Sequence, residues 1–387
     1  MSHRKTAGTT AILAIAAAAV AWSALASCAA DAQSRRYSRK QAQKSLARLE
    51  KPGLVIGEFK LAAKDPILDG DTVKVAGLES TLRLLAIDTE ETFKHEQDRR
   101  DAADDFDAYL REKRGDRARP VKAATPMGEK AKKWAKAFFA GVTRVRLERD
   151  HPREIRGVYG RYLAYIMVEK DGAWLNYNLE CVRAGMSPYF SKYGYSRRFH
   201  EQFVTAQKQA RQAGRGIWDP SEQRYPDYDE RLAWWDARAE FIRAFEQEAG
   251  DREHYIPLTR WDAMQRLEAY EGREVFILGT VARVKRGQRG PSKVFLARRR
   301  TSSFPIVFFD KDVMGNTGIA DARGEFVRVR GTVSKYFNKY RKVDELQVVV
   351  TLPGQVEVSQ IPGRSATTTS TASTASMNAP ERNEPAE

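Results

Sequence analysis

Two short stretches decide the fold and the site: Asp69-Gly70-Asp71-Thr72 and Arg83-Leu84-Leu85-Ala86-Ile87-Asp88-Thr89-Glu90-Glu91. Asp71, Asp88 and Glu91 are carboxylates that repel one another where they converge, unless a cation lies between them. A hard cation such as Ca²⁺ binds carboxylate, carbonyl and water oxygens. Arg83, and Arg161 further along the chain, have guanidinium groups that can clamp a phosphate with paired hydrogen bonds. The pattern predicts the groups needed to hydrolyse a phosphodiester bond.

Further motifs lie in a fixed order around these stretches. They are Gly53-Leu54-Val55, Tyr159-Gly160-Arg161, Val182-Arg183-Ala184-Gly185 and Gly216-Ile217-Trp218. Over about residues 52–219 this arrangement resembles the staphylococcal nuclease (thermonuclease) family. Several motifs in a fixed order are far more specific than any one of them, because Asp-Gly-Asp-Thr alone is a common turn. Asp69 is expected to shape that turn rather than bind metal. The resemblance implies an OB-like barrel and nuclease activity.

The resemblance also implies a metal and a group that handles water. It assigns Asp71 and Asp88 to Ca²⁺ through their carboxylates, and Thr89 through its backbone carbonyl. Glu91 is assigned to orienting or deprotonating the attacking water. Glu90 stands where the family has a proline, which predicts a looser backbone and an added negative charge near the metal.

The remaining roles that the resemblance implies concern the substrate. Arg83 and Arg161 are assigned to the phosphate and the charge that develops on it. Tyrosines occur where the family presents them to the phosphate and base of a nucleotide, and a ring can stack on a base of any sequence. These tyrosines are Tyr159, Tyr189 and Tyr193, with packing in the core or on the surface as the alternative.

Composition limits the class of protein and its partners. The chain has 387 residues, 42% of them hydrophobic, which is enough for two domains with their own cores. A net charge of +15 favours a polyanion, DNA or RNA or both, although an anionic membrane surface would suit the same charge. No protein partner is indicated. Of two cysteines, Cys181 falls on an apolar helical stripe and is expected to be a buried, unreactive thiol.

The first 28 residues predict export. His3-Arg4-Lys5 precedes an apolar run over about residues 11–26 that is too short and alanine-rich for a membrane span. The run ends in Leu25-Ala26-Ser27-Cys28, which resembles a bacterial lipobox with Cys28 as the lipidated residue. Cleavage after Ala30-Asp31-Ala32 is the alternative. The chain is therefore expected to be an envelope lipoprotein, facing the periplasm or the surface, or a secreted protein.

The resemblance for the first domain and the strand pattern for the second together predict an α+β chain built on two barrels. The predicted segments are a signal peptide with lipobox over 1–28, a polar tether over 29–51, a nuclease-like domain over 52–220, a helical connector over 221–271, an OB-fold domain over 272–360 and a disordered tail over 361–387. The nuclease-like domain is predicted to be an OB-like five-stranded barrel with helices. Its charged insertion over 92–124 is expected to be a solvated loop or short helix, with a substrate gate as the alternative.

Two helix starts and the loops of the second barrel are further predictions. Thr125 and Pro126 predict a helix start, and Thr259 predicts the cap of a connector helix. Three strands, a helical connection and two strands match the order of an OB barrel. Its predicted loops carry Lys285, Arg286, Arg289 and Lys293, and then Lys335, Tyr336, Phe337, Lys339, Tyr340, Arg341 and Lys342. Basic residues among aromatics suit nucleic acid, with solvated loops as the alternative.

The expected function is a secreted or envelope-anchored, Ca²⁺-dependent nuclease. A non-catalytic module of the envelope that binds nucleic acid or protein is the main alternative. An envelope structural protein that docks on anionic lipid is a third, and it leaves the paired acids unexplained. Acids and arginines in the order described favour catalysis, because a module that only binds does not need them.

Overall fold

The computed structural model describes residues 53–78, 82–117, 119–154, 161–299, 302–339 and 342–359. The predicted leader with Cys28, most of the tether, Tyr159 and the predicted tail lie outside the described residues. Contacts divide the chain into two units. The first contains the described residues up to Tyr189 together with Ser196–Tyr225, and the second contains Phe190–Tyr195 and the chain from Pro226 onward.

A mixed sheet forms the barrel of the first unit. Its strands among the described residues are β1 (Val55–Lys60), β2 (Ile67–Asp69), β3 (Thr72–Val73), β4 (Leu82–Leu84), β5 (Arg144–Glu148), β6 (Tyr162–Lys170) and β7 (Ala173–Asn176). They are hydrogen-bonded in the order β1-β5-β6-β4-β3-β2, with β7 on β6. β4 and β6 run parallel, and the other pairs are antiparallel. This OB-like barrel confirms the predicted fold class, and it places the first site stretch at the β2–β3 turn and the second on β4 and the chain that follows it.

Helices cover this barrel. They are α1 (Glu96–Asp104), α2 (Phe106–Arg114), α3 (Pro126–Phe138), α4 (Tyr177–Arg183) and α5 (His200–Gln212). α3 begins as predicted, because the Thr125 side chain accepts a hydrogen bond from the Gly128 amide at 3.0 Å. No helix in the described part of the chain is long and apolar enough to cross a membrane.

The insertion over 92–124 is more ordered than a solvated loop. α1 and α2 form in it, and the buried Tyr109 ring lies 6.5 Å from the ring centroids of both Phe93 and Phe106. These contacts give the insertion a small aromatic core. Its last residues then return to the site before α3 begins.

The second unit combines a long helix with a second sheet. Its elements are α6 (Tyr228–Ala249), β8 (Tyr255–Pro257), α7 (Ala263–Ala269), β9 (Glu274–Lys285), β10 (Ser292–Arg299), β11 (Ser302–Phe308), α8 (Lys311–Asn316), β12 (Phe326–Asn338), β13 (Val343–Val349) and β14 (Val356–Val358). β9, β10, β11, β13 and β12 pair in that order, and β12 also pairs with β9. The five strands predicted for an OB barrel are thus present, with the helix α8 after the third.

Two local predictions for this unit are wrong. α7 begins at Ala263, not at a Thr259 cap, because the Leu258 amide still donates to the Leu278 carbonyl at 2.9 Å and keeps the chain in the sheet. β12 continues to Asn338, because its pairing with β13 extends to Val343. Lys335, Tyr336 and Phe337 therefore lie on a strand and not in a loop.

Candidate active site

A close approach of two backbone segments brings the site together. A Cβ atom on Gly70 would lie 2.5 Å from Cγ2 of Thr89, so a side chain at position 70 would push the segments apart. The buried Tyr177 hydroxyl donates to the Gly70 carbonyl at 2.7 Å. Asp71 follows Gly70 directly, and its amide donates to Asp69 Oδ1 at 3.1 Å, so Asp69 shapes the turn as expected. These contacts fix Asp71 beside the segment that carries Asp88.

One arginine joins two buried carboxylates. Arg83 on β4 directs Nη1 to Asp71 Oδ2 and Nη2 to Asp88 Oδ1. Burial opposes the charge on Arg83, but the adjacent Asp71 and Asp88 outweigh it and raise the pKa of the guanidinium. Burial likewise opposes ionisation of Asp88, but Lys122 and Arg83 lower its pKa to about 2. Asp88 is therefore an ionised carboxylate at neutral pH.

A lysine from the insertion completes this ionic cluster. Lys122 Nζ lies 2.7 Å from Asp88 Oδ1 and 3.3 Å from Glu91 Oε1. Burial opposes its charge, but Asp88 and Asp71 raise its pKa. Nothing in the sequence assigned Lys122 to the site. The one feature of the sequence that could have placed Lys122 near the site is its position three residues before the Thr125 cap of α3. The first turn of α3 contacts Glu91.

That contact fixes the Glu91 backbone. A Cβ atom on Gly128 in the first turn of α3 would lie 2.1 Å from the Glu91 carbonyl oxygen. The Thr125 amide donates to the same oxygen at 3.0 Å. The Glu91 side chain is half-exposed and contacts Lys94 at 3.7 Å as well as Lys122. The Glu91 carboxylate is thus held at the edge of the cluster, where water can reach it.

Arg161 lies on the same face of the sheet as Arg83. β4 and β6 are parallel with Arg83 opposite Leu163, and Arg161 is two residues before Leu163. Side chains two residues apart in an extended chain point to the same face. Within the described residues the Arg161 side chain makes no hydrogen bond or ion pair, so its donors remain open to an anion.

The Glu90 carboxylate, which stands where a proline was expected, is held by hydrogen bonds. Glu90 is 1% exposed, and its carboxylate accepts hydrogen bonds from the Thr125 hydroxyl and, at 2.8 Å, from the Tyr225 amide. The Glu90 side chain thus ties together three segments that are distant in sequence. The hydrogen bonds of the Glu90 side chain therefore hold in place the backbone that a proline ring would otherwise restrict.

Of the three predicted substrate-binding tyrosines, the structure contradicts Tyr189. Tyr189 is buried and stacked on Phe203 at 5.0 Å, and its hydroxyl accepts a hydrogen bond from the Ser196 amide at 2.8 Å. Its ring is therefore core and cannot stack on a base. Tyr193 is 63% exposed and belongs to the second unit. Tyr159 lies outside the described residues.

Cys181 is fully buried, as predicted, and burial raises the pKa of its thiol.

The oxygen donors at the site suit a hard cation. Two carboxylates, Asp71 and Asp88, and the Thr89 carbonyl form the oxygen set that Ca²⁺ prefers. Within the ranges that the structure describes, no three His, Cys, Asp or Glu side chains form a ready metal centre. Arg83 and Lys122 balance the carboxylates instead. The donor chemistry thus fits Ca²⁺, but two side-chain cations lie on the same carboxylates.

The OB-like barrel and its buried cluster of two acids and an arginine lie in the part of the chain that can be compared with known proteins. Residues 81–220 match the family described as staphylococcal nuclease homologue. The chain therefore contains a domain of the staphylococcal nuclease family.

Two relatives resemble the chain over this region. The thermonuclease of Staphylococcus hyicus is 28% identical over 155 residues, which are 39% of this chain and 72% of that protein. The uncharacterized protein MJ1439 of Methanocaldococcus jannaschii is 29% identical over 161 residues, which are 40% of this chain and 69% of that protein.

Replacing Glu90 with glutamine should destabilise the first unit by about 1–3 kcal/mol, because the amide group presents a donor to partners that are themselves donors. Urea unfolding monitored by circular dichroism measures the loss. Glu58→Gln on the exposed face of β1 is the matched control and should change stability by less than about 0.5 kcal/mol. Equal stability of Glu90→Gln and the wild type would show that the two hydrogen bonds contribute nothing net.

Proposed function

We propose that the chain is a Ca²⁺-dependent nuclease that hydrolyses phosphodiester bonds of DNA, RNA or both. The observation that carries the proposal is the bridge from Arg83 to both Asp71 and Asp88, which are buried in a barrel of the nuclease family. A fold needs no such cluster, since buried charges cost free energy unless they are paired. A site that binds a cation and a phosphate needs both the acids and the arginine.

The carboxylates would hold the metal and orient water. Asp71, Asp88 and the Thr89 carbonyl would bind Ca²⁺, and a bound divalent ion offsets negative charge on a phosphate and on an attacking oxygen. Glu91, at the edge of the cluster, would accept a hydrogen bond from water and take its proton. Its backbone is fixed by α3, so the carboxylate moves only by side-chain rotation.

The arginines would bind the phosphate. Arg83 holds its guanidinium rigidly between two carboxylates, so two of its nitrogens are already placed when substrate arrives. Arg161, on the same face, adds donors without a protein partner in the described residues. Two planar guanidinium groups on one face suit the several oxygens of a scissile phosphate.

The test is a cleavage assay on residues 33–387. The protein is incubated with single-stranded DNA, double-stranded DNA and RNA, each with Ca²⁺, with Mg²⁺ and with chelator. Cleavage that needs Ca²⁺ and disappears in chelator supports the proposal. Tight nucleic-acid binding without cleavage under any condition supports the non-catalytic module instead.

We also propose that the second barrel binds the same polymer. Lys293 Nζ on β10 lies 4.4 Å from the ring centroid of Tyr336 on β12, so two hairpin ends that sequence reasoning treated as separate lie side by side. Phe337 beside them is 56% exposed. Arg283 covers the Phe295 ring at 4.2 Å on the neighbouring strands. Cations that lie over half-buried rings, together with the exposed Phe337, suit a single strand whose phosphates and bases are both contacted.

The double substitution Lys293→Ala/Phe337→Ala should raise the KM for long single-stranded polymers about tenfold or more, since each stacked base contributes about 1–3 kcal/mol. Cleavage of short oligonucleotides should change little. Substitution tests binding more specifically than deletion from residue 257 does. Because β8 pairs with β9, such a deletion would disrupt the fold of the second unit. Arg330→Ala/Leu352→Ala removes one basic and one exposed apolar side chain elsewhere on this barrel and is the control. Equal losses on short and long substrates would contradict the binding role.

We further propose that the chain is exported and anchored in the envelope through a lipid on Cys28. The support is the sequence alone: a basic start, an apolar run and Leu25-Ala26-Ser27-Cys28. Free secretion after cleavage at Ala32 remains the alternative for the same leader.

Cys28→Ser should abolish lipid attachment and move the protein from the membrane fraction to a soluble or unprocessed form. Metabolic labelling with a fatty acid and mass spectrometry of the mature N-terminus measure this. Cys181→Ser is the control, because Cys181 is buried and should not affect labelling. A mature wild-type protein that begins at Gln33 without lipid would contradict the anchor.

A further inference from the structure

Lys122 contacts two carboxylates to which different roles are assigned. Its ammonium lies 2.7 Å from Asp88, an expected Ca²⁺ ligand, and 3.3 Å from Glu91, the expected water-handling group. Lys122 comes from the insertion and not from the β2–β3 turn that carries Asp71 or the strand β4 that carries Arg83. The insertion thus places the ammonium group of Lys122 at the centre of the proposed site.

The backbone at Lys122 is fixed. The neighbouring Ala123 amide donates to the Tyr225 hydroxyl at 2.9 Å, and that hydroxyl donates to the Ala123 carbonyl at 2.5 Å. Ala124 forms a parallel bridge with Glu91. These bonds hold the backbone that directly follows Lys122, so the four-carbon side chain is the part of this residue that can most readily rotate.

Two side-chain cations share one oxygen of Asp88. Arg83 Nη2 and Lys122 Nζ both contact Asp88 Oδ1. A divalent cation bound by this carboxylate would be repelled by both groups at short range. Arg83 is largely enclosed and joined to a second carboxylate, so it cannot leave without breaking a buried pair. The Lys122 side chain is 41% exposed and flexible, and it can rotate into solvent.

We propose that Lys122 is a tethered counterion that occupies the Asp88–Glu91 side of the site until Ca²⁺ displaces it. This inference rests on the proposed function, since it concerns the same metal site. Lys122 neutralises two carboxylates before metal binds, and it lowers the affinity for Ca²⁺ by competing for Asp88. The insertion thereby sets the Ca²⁺ concentration at which the site becomes loaded.

The test measures Ca²⁺ binding by calorimetry on the full chain, without substrate. Lys122→Met keeps the length of the side chain and removes the charge, and it should tighten Ca²⁺ binding about tenfold, because ligand charge count sets Ca²⁺ affinity. Lys122→Arg keeps the charge and should bind Ca²⁺ as the wild type does. The rise in Tm on adding Ca²⁺ gives a second readout and should be larger for Lys122→Met.

Lys94→Met is the matched control. Lys94 lies 3.7 Å from Glu91 Oε2, but it is 73% exposed and has no ion pair with Asp88, so its loss should leave Ca²⁺ affinity unchanged. If Lys122→Met does not melt cooperatively, Lys122→Gln replaces it in the same comparison. Unchanged or weaker Ca²⁺ binding in the neutral variant overturns the inference, as does a rise in KM for nucleic acid without any change in Ca²⁺ affinity.

A failure of the proposed nuclease function can be distinguished from a failure of the counterion role of Lys122. A wild type that binds no Ca²⁺ and cleaves nothing overturns both the metal site and the counterion. A wild type whose cleavage needs Ca²⁺, combined with the same Ca²⁺ affinity in Lys122→Met, overturns the counterion alone.

Discussion

Replacing Arg83 with lysine should lower the rate of phosphodiester cleavage by about a hundredfold or more, because one preorganised charge stabiliser typically contributes about 3 kcal/mol to lowering the barrier. The arginine reaches Asp71 and Asp88 with separate nitrogens. Lysine keeps the charge but has one nitrogen, so it cannot bridge both acids and still present a planar pair of donors to phosphate. Single-turnover cleavage of a short oligonucleotide at saturating Ca²⁺ measures the effect.

The comparison needs a control for charge and one for folding. Arg144→Lys is the charge-matched control on β5 of the same unit, where the side chain is exposed, and its rate should equal that of the wild type. Thermal unfolding of Arg83→Lys shows whether the buried acids still have a partner. Arg161→Lys should lose activity similarly but keep its stability, because its side chain has no ion pair in the described residues. A near-normal rate for Arg83→Lys with Ca²⁺ affinity intact would contradict its role at the phosphate.

Short sequence patterns correctly predicted the elements that are stabilised by contacts between residues close together in the sequence. The Thr125 cap and the apolar spacing after it gave the start of α3, because the cap bonds the helix's own first turn. In the second sheet, the succession of three strands, a helix and two strands along the chain matches the prediction from alternation and turn residues. Thr259 failed as a cap because a distant partner, Leu278, holds Leu258 in the sheet. A capping preference is worth about 1 kcal/mol, and a tertiary hydrogen bond with its packing outweighs it.

The same distinction separates the site residues that sequence reasoning found from those it missed. Asp71 lies in the turn between β2 and β3, Arg83 lies on β4, which pairs with β3, and Asp88 follows β4 closely, so a short ordered motif brings them together. Lys122 reaches Asp88 because Tyr225, 102 residues away from Ala123, holds the end of the insertion in place. No pattern within residues 92–124 reveals that contact. Tyr189 was assigned to substrate because tyrosine suits both a base and a core, and only burial distinguishes the two.

Chelation of Ca²⁺ should abolish cleavage, and Asp88→Asn should weaken Ca²⁺ binding by about a hundredfold or more, since the number of charged ligands sets Ca²⁺ affinity. Asp88 has a pKa of about 2, so the wild type presents a full negative charge at neutral pH. Asparagine keeps the shape and removes that charge. It also leaves Arg83 and Lys122 with fewer acids to balance, so the local potential becomes unfavourable for any added cation.

Losing one partner of a buried pair also costs about 3–5 kcal/mol of stability, so Ca²⁺ binding must be measured where Asp88→Asn is shown to be folded. Asp104→Asn, on the exposed side of α1, removes the same charge and should leave Ca²⁺ affinity and Tm unchanged. Asp71→Asn should weaken Ca²⁺ binding in the same way as Asp88→Asn if the two acids share one ion. Wild-type Ca²⁺ affinity in Asp88→Asn, or full cleavage in chelator, would mean that the paired acids serve only to hold Arg83. Arg83 would then bind a phosphate in the barrel without any metal ion.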